Sequence, residues 1–299
     1  MSPVFKKSIQ EGDIIKFNIT DGFTKKITNF YKIEPFPQYS ESDNLNTILK
    51  KGNENDFAFR LKKYIGFNKK ILEVGAGTCQ LSVYLALGTN NNVYALDATY
   101  ESLKLGKKFA DKISLKNIKF VNADIFDDVF NDGVFDFIIC NGVLHHTKNP
   151  KKGFEIITKY LKKNGYISIG LYNKIGRFRT HIRRVVYKVF GYRMICLMDP
   201  VLRNLKNLSK QQTISWIRDQ YAHPLESGHT FDELKKWFDE KEIEFINSIP
   251  SPIFSNDENY FFKKIYFGTH VERLIKQFLM IFTRYGSEGG LYVFIGKKK

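Results

Sequence analysis

Short apolar segments alternate with helical patterns through the middle of the chain. Buried strands are predicted for the runs at 71–74, 93–96, 118–122, 135–140 and 166–171. Helices are predicted from apolar residues at helical spacing at 56–65, 80–87, 99–112 and 150–161. This alternation predicts an α/β fold, a Rossmann-like parallel sheet doubly wound with helices on both faces.

The alternation breaks after residue 172, where about 55 residues pass before the next clear unit. Thr230 and Glu233 form a capping box that opens a helix ending near residue 239. Apolar runs at 244–249 and 291–295 then predict two more strands. A seven-stranded sheet that closes with a carboxy-terminal hairpin strand accommodates all of these elements.

The length of 299 residues suits one large α/β domain with insertions. We expect an amino-terminal helical extension at 1–66 and a main domain at 67–299. Insertions at about 172–229 and 250–289 would form a cap over one edge of the sheet. The chain has no long apolar run and no amino-terminal signal core, which predicts a cytoplasmic protein.

A glycine-rich turn follows the first predicted strand and opens a helix. Gly75 and Gly77 permit a tight turn and close approach of a ligand to the backbone. Asp97 ends the second strand, where an acid can accept hydrogen bonds from ribose hydroxyls. Dinucleotide-binding domains share these features, but their third glycine is replaced here by Gln80, and Glu73 precedes the first glycine.

Several segments in this order resemble the motifs of class I S-adenosylmethionine-dependent methyltransferases. They are Ile71-Leu-Glu-Val-Gly-Ala-Gly-Thr78, Asp97, the stretch at 122–125, the strand at 135–141, the segment at 143–147 and the turn at 161–165. The resemblance covers roughly 60–172 and implies the class I fold, methyl transfer and S-adenosylmethionine as cofactor. The flanks at 219–224 and 288–291 resemble an uncharacterised bacterial subgroup of small-molecule type.

The resemblance also implies a set of cofactor-binding residues. They are Glu73, Gly75, Ala76, Gly77, Asp97, Ala98, Ala123, Asp124, Ile125 and Asn141. Asp124 would contact the adenine amino group, although a surface-loop acid is the alternative. Asp97 has the alternative role of capping the helix that begins near Thr99.

The acceptor side is less defined by sequence. His145 and His146 follow the fourth strand, and either is a candidate general base for an oxygen or amine acceptor, if a base is needed at all. Tyr172 and Asn173 end the fifth strand and are expected to face the same crevice.

Tyr221 and His223 either line the acceptor pocket or anchor the cap. No group of residues has metal-ligand spacing, so no metal is expected. The predicted reaction is methylation of a small-molecule, sugar or lipid-linked acceptor, with oxygen preferred as the methylated atom.

The net charge of +16 raises the question of an anionic partner. Most of the lysines are scattered, but 172–193 contains seven basic residues and no acid: Lys174, Arg177, Arg179, Arg183, Arg184, Lys188 and Arg193. This pattern predicts a basic amphipathic helix, either packed on the domain by its apolar face or in peripheral contact with an anionic membrane. An RNA methyltransferase and a non-catalytic, cofactor-binding or membrane-surface protein are the alternatives, and nucleic acid is not the expected partner. The sequence does not predict the oligomeric state.

Overall fold

A computed structural model describes residues 4–6, 12–19, 21–33, 35–204, 210–254, 261–282 and 289–299. Parts of both predicted insertions therefore lie outside the described residues, at 205–209, 255–260 and 283–288. Glu288 of the carboxy-terminal flank is among them.

One sheet organises the described part of the chain. Its eight strands are β1 (Ile15–Lys16), β2 (Lys70–Val74), β3 (Asn92–Asp97), β4 (Ile118–Asn122), β5 (Phe135–Asn141), β6 (Leu161–Tyr172), β7 (Ile243–Ile249) and β8 (Leu291–Lys298). Their order is β1-β4-β3-β2-β5-β6-β8-β7, with β1 to β6 parallel and β8 antiparallel to both of its neighbours. The predicted fold class, an α/β Rossmann-like sheet, is confirmed.

The sheet has one strand more than predicted, because the amino-terminal segment contributes β1. Ile15 pairs with Val121 and Lys16 with Asn122, which makes β1 an edge strand next to β4. Two residues are too few to give a periodic pattern, so the sequence contains no recognisable sign of this strand. Residues before 67 therefore contribute a strand to the sheet as well as helices.

The helices cover both faces of the sheet and the edge at which its parallel strands end. They are α1 (Gly22–Ile33), α2 (Leu45–Glu54), α3 (Asp56–Ile65), α4 (Gln80–Ala86), α5 (Tyr100–Lys112), α6 (Pro150–Lys159), α7 (Phe178–Met198), α8 (Pro200–Asn204), α9 (Lys210–Tyr221), α10 (Phe231–Glu240) and α11 (His270–Leu279). Local chemistry sets several of their starts. Asn44 caps α2, Pro150 occupies the first turn of α6, and the Thr230 hydroxyl accepts the Glu233 amide at the start of α10.

The strands between these layers are almost fully buried, and aliphatic and aromatic side chains fill both sides of the sheet. Because β2 to β6 are parallel, their carboxyl ends meet at one edge. α1 and the segment around α9 contribute residues to this same edge, which holds the site described below.

The basic helix predicted at 172–193 corresponds to α7, but part of its apolar face points to solvent instead of packing on the domain. Val185 and Val189 are 62% and 67% exposed and do not pack on the domain, whereas Val186 and Tyr187 pack against an apolar cluster of the cap. Arg177, just before the helix, is fully buried, and Arg184 is mostly buried. A backbone break at Gly191, with φ of +73°, separates the last turns of the helix. Over the described ranges, no helix combines the length and apolar character needed to cross a bilayer.

Candidate active site

A cavity of about 630 Å³ opens at the carboxyl ends of the parallel strands. It lies where the strand order reverses between β2 and β5, the position at which open α/β sheets bind ligands. All ten residues predicted for the cofactor line this cavity, together with His146 and Tyr172. Phe23, Ile27 and Tyr31 of α1 also line it.

The glycine turn after β2 is shaped by two close contacts. Gly75 has φ of +69°, and a Cβ at this position would lie 2.2 Å from the Val143 Cγ2 atom. Gly77 has φ of +52°, and its Cβ would lie 2.4 Å from the Phe36 carbonyl oxygen. Neither position has room for a side chain, so the turn brings bare backbone to the cavity.

Two carboxylates flank this turn. The Ser82 hydroxyl donates to Glu73, and burial raises the pKa of Glu73 to about 7. Asp97 accepts the Gly77 amide at 2.8 Å and the Thr99 amide at 2.7 Å, one on each oxygen. Burial also raises the pKa of Asp97. A carboxylate has about four accepting positions, so Asp97 keeps capacity for ligand hydroxyls.

Asp124 provides a third carboxylate, after β4. One of its oxygens accepts the Phe126 amide at 3.0 Å and thereby caps a short 3₁₀ turn at Ile125–Asp127. The other oxygen accepts the hydroxyl of Thr24, which lies on α1. Asp124 is buried rather than a surface-loop acid, and it links α1 to the sheet.

His146 stands on the cavity wall beside a second imidazole. Its Nδ1 atom lies 2.7 Å from the Leu225 carbonyl oxygen, which can only accept, so Nδ1 carries the proton and Nε2 keeps its lone pair. The His146 and His223 ring centroids are 3.7 Å apart. Burial lowers the pKa of His146 to about 3 and that of His223 to about 2, so both imidazoles are neutral at pH 7.

Tyr172 connects the cavity to a buried ion cluster. Its ring stacks on the His145 ring with the two centroids 3.9 Å apart, and the Cζ atom of Arg177 lies 3.5 Å from the Tyr172 ring centroid. Arg177 is fully buried and donates to both carboxylate oxygens of Glu226, at 3.1 and 2.6 Å. Arg184 donates to the same carboxylate at 2.9 Å. The two arginines thus tie the start of α7 to the cap segment that carries Glu226, and of the cluster and its neighbouring ring only Tyr172 lines the cavity.

Four residues predicted for catalysis or substrate binding do not line the cavity. His145 is fully buried behind Tyr172 and accepts the Tyr172 amide on Nδ1 at 3.3 Å. Asn173 accepts the amides of Ile175 and Gly176, so it shapes the turn into α7. These contacts place both residues behind the cavity wall, and the roles predicted for them remain predictions.

Neither of the two cap residues considered from the sequence lines the cavity. Tyr221 donates to Asp199 at 2.8 Å inside the cap, which matches the anchoring alternative. His223 supports His146 from behind and is absent from the cavity wall. Neighbouring Asp219, which the sequence did not single out, lines the cavity.

Sequence reasoning missed the pair formed by Asp219 and Tyr31. The Tyr31 hydroxyl donates to Asp219 Oδ1 at 2.8 Å, and the Gln220 amide donates to Asp219 Oδ2 at 3.0 Å. Burial raises the pKa of Asp219. The apolar spacing of Phe23, Ile27 and Tyr31 gives a weak sign of α1, but nothing in the sequence indicates that this helix reaches the cavity.

Comparison with known proteins decides the family. The family described as "Methyltransferase domain" matches residues 65–242, more than half of the chain and the whole region that carries the cavity turns. The chain is a class I S-adenosylmethionine-dependent methyltransferase. The resemblance inferred from the sequence motifs is therefore confirmed.

The methyltransferase is similar to several curated proteins. An uncharacterized protein of Synechococcus sp. is 25% identical over 198 residues, 59% of this chain and 48% of that protein. The mitochondrial ubiquinone biosynthesis O-methyltransferase of Dictyostelium discoideum is 25% identical over 55% of this chain and 52% of that protein. The chain spans about half the length of these curated relatives.

A solved structure with a similar fold is the magnesium protoporphyrin IX methyltransferase of Synechocystis with bound SAH. It is 10% identical, with a TM-score of 0.53 over 93% of this chain and 100% of that one. At this identity the likeness shows the fold alone.

The cavity of the methyltransferase fits S-adenosylmethionine. The cofactor carries a sulfonium, an ammonium group and one carboxylate, a net positive charge, and Glu73, Asp97 and Asp124 line the cavity. Among the described lining residues, Lys51 is the one lysine or arginine, and Asp43 pairs with it at 2.6 Å. The side chains of this cavity thus favour a cationic ligand, although the whole chain is strongly basic.

Proposed function

We propose that the methyltransferase transfers a methyl group to a hydroxyl of a small-molecule, sugar or lipid-linked acceptor, and that Glu73, Gly75, Asp97 and Asp124 hold the cofactor. The observation that supports this most directly is the continuous cavity, whose cofactor side is acidic and whose other walls combine aromatic rings with Asp219 and His146. S-adenosylmethionine, when bound, supplies an activated methyl group. The protein's part is to bind, orient and exclude water.

The acceptor side of the cavity offers hydrogen-bond acceptors rather than cations. The Asp219 carboxylate and the lone pair on His146 Nε2 both suit a hydroxyl or an amine that donates. Arg177 and Arg184 are engaged with Glu226, and Arg177 lies behind Tyr172. A phosphate or carboxylate on the acceptor would therefore meet carboxylates without a compensating cation.

Asp219 is the better candidate for a general base. The low pKa of His146 makes its imidazole a weak base, whereas burial raises the pKa of Asp219 and strengthens its carboxylate as a base. We assign His146 to orienting the acceptor hydroxyl and Asp219 to receiving its proton. We therefore propose Asp219 as the base in place of His145 or His146, the candidates that the sequence suggests.

The test uses purified protein, methyl-labelled S-adenosylmethionine and matched acceptors. Aromatic alcohols and amines should be methylated at least about tenfold faster than their phosphorylated counterparts, because burial of an unpaired anion is costly. Mass spectrometry of the product identifies the methylated atom. Preferential methylation of the phosphorylated compounds, or of RNA, would contradict the proposal.

Asp219→Asn separates the acceptor side from the cofactor side. It should lower kcat/KM for the acceptor by about 10²-fold or more, with unchanged affinity for S-adenosylmethionine by calorimetry. Asp199→Asn is the matched control, because Asp199 is also a buried cap aspartate but bonds Trp216 and Tyr221 instead of lining the cavity. Equal losses of kcat/KM in the two variants would assign Asp219 a structural role only.

A further inference from the structure

An exposed apolar stripe runs along α7. At about 100° per residue, Phe178, Ile182, Val185 and Val189 fall within roughly 60° of one another around the helix axis. They are 56%, 46%, 62% and 67% exposed. A helix of a water-soluble domain normally turns such a stripe inward, so this orientation is opposite to the usual one.

The inward face of α7 explains why the stripe points out. Thr180 is buried on that face, and Arg184 donates to Glu226 and to the Gln220 carbonyl oxygen. These polar contacts, together with the packing of Tyr187 on the apolar cluster of the cap, fix the helix to the cap. The apolar stripe is fixed outward by those bonds, so it cannot rotate into the core without breaking a buried ion cluster.

Helix α11 extends the apolar surface. Val271, Leu274 and Phe278 are 64%, 48% and 53% exposed. The two helices meet near Arg179, whose guanidinium donates to the Ile281 carbonyl oxygen at 3.5 Å just beyond α11. Exposed apolar residues on two neighbouring helices mark an interaction surface.

Cations flank the stripe on α7. Arg179 and Arg183 lie on one side of it and Lys188 on the other, by the same helical spacing. Lys174, Arg179, Lys188 and Arg193 are exposed, and 172–193 contains no acidic residue. An apolar stripe bordered by cations is the arrangement of helices that lie in the surface of an anionic bilayer.

We propose that the surface formed by α7 and α11 docks the methyltransferase on an anionic lipid membrane. The charge pattern favours this occupant over a second copy, because a symmetric interface through this surface would oppose like charges. It also favours a membrane over nucleic acid, since phosphates would leave the apolar stripe in water. The proposal does not depend on which acceptor is methylated.

The test is co-sedimentation of the full chain with vesicles at low salt. Binding is expected to phosphatidylcholine vesicles containing 30% phosphatidylglycerol and to be much weaker with phosphatidylcholine alone. Ile182→Ser with Val189→Ser should lower the partition coefficient at least about tenfold, because the stripe supplies the apolar contact. Arg179→Glu with Lys188→Glu should lower it at least as much.

Phe67→Glu is the matched control. Phe67 is 62% exposed but lies before the amino end of β2, at the opposite edge of the sheet from α7, so its variant should bind vesicles like the wild type. Retained affinity for S-adenosylmethionine shows that each variant is folded. No binding of the wild type to the anionic vesicles overturns the proposal. A wild-type protein that is dimeric in solution and becomes monomeric with Val189→Glu would assign the surface to self-association and would also overturn the proposal. Binding to a polyanion that the serine variants leave unchanged, with no binding to vesicles, would overturn it as well.

Discussion

Single residues around the glycine turn are limited by packing as well as by backbone conformation. Gly75 and Gly133 both have positive φ, at +69° and +63°. A Cβ at Gly75 would overlap Val143, whereas a Cβ at Gly133 has no neighbour within 4 Å. The two positions therefore separate backbone strain from steric overlap within one chain.

Gly75→Ala should weaken S-adenosylmethionine binding by at least about tenfold, because Val143 or the turn itself must move at the cavity wall. Gly133→Ala carries a similar strain and should leave the affinity unchanged. Calorimetric titration of both variants measures this. An equal loss in the two variants would show that global strain is responsible rather than the fit at position 75.

The motif residues of the candidate site could be predicted because turns, strand ends and carboxylates occur in a fixed local order. Asp219 could not be separated from Tyr221 and His223 in this way. Which residue of an irregular segment faces a cavity depends on the contacts of the whole cap, here the ion cluster around Glu226. Local sequence does not encode that orientation.

Among the elements, a lysine side chain of α3 caps the carboxyl end of α4. Lys62 of α3 donates to the Tyr84 and Leu87 carbonyl oxygens at the end of α4, both at 2.6 Å. These carbonyls belong to the last turn of α4, where a cation also interacts favourably with the helix dipole. The lysine thus closes a seven-residue helix that follows directly on the cofactor turn.

Lys62→Met should lower the free energy of unfolding by about 1–2 kcal/mol, because two charge-assisted hydrogen bonds are lost while the apolar stem is kept. Lys63→Met is the neighbouring exposed control and should change stability by less than about 0.5 kcal/mol. Urea denaturation of the three proteins gives the values. Identical midpoints would show that water replaces the lysine at no cost.

The predicted elements also differ in how well local pattern defines them. Strands β2 to β5 and helices α3 to α6 follow from periodicity, and their predicted positions agree with the structure to within about two residues. β6 begins at Leu161 and so includes the segment at 161–165 that was predicted as a turn. A helical extension was predicted at 1–66, but β1 and the bounds of α1 were not, because a two-residue strand and a weakly patterned helix gain their stability from β4 and the cavity wall. The sequence left the orientation of the α7 stripe open between packing on the domain and contact with a membrane, since apolar spacing alone does not decide between them.

At the scale of the whole molecule, charge is separated between the surface and the cavity. The chain carries a net charge of +16, yet Glu73, Asp97, Asp124 and Asp219 line the cavity with Lys51 as the single described cation there. The positive surface charge therefore attracts anionic partners in the surroundings of the protein, whereas the negative charge of the cavity favours a cationic ligand.

Buried imidazoles make the stability of the whole molecule depend on pH. The pKa of His146 is lowered to about 3 and that of His223 to about 2, against 6.5 for the unfolded chain. Below pH 6.5 the unfolded state binds protons that the folded state does not, so stability falls as pH decreases, by up to about 1.4 kcal/mol per pH unit for each histidine. Glu73 acts in the opposite sense between pH 7 and 4.5, because its pKa is raised.

The effect of the two histidines is therefore measured by comparing the pH dependence of unfolding in the wild type and in a variant without them. Between pH 6 and 4.5, the unfolding free energy of the wild type should fall more steeply as pH decreases than that of a variant with His146→Gln and His223→Gln. Both proteins contain the same carboxyl groups, so the contributions of these groups cancel in the comparison. Denaturant titrations at several pH values give both slopes. Parallel slopes would mean that the two imidazoles are protonated in the folded protein at these pH values.

The Arg177–Glu226 pair described above has a consequence for how this protein changes over generations. Loss of Glu226 removes the carboxylate that Arg177 and Arg184 share, at a cost of about 3–5 kcal/mol that few proteins of ordinary stability tolerate, whereas loss of Arg177 leaves Glu226 paired with Arg184. Replacement of all three residues by apolar ones removes that cost. A substitution at position 226 should therefore be inherited together with substitutions at positions 177 and 184, and descendants of this chain should keep the cluster or lose it as a unit.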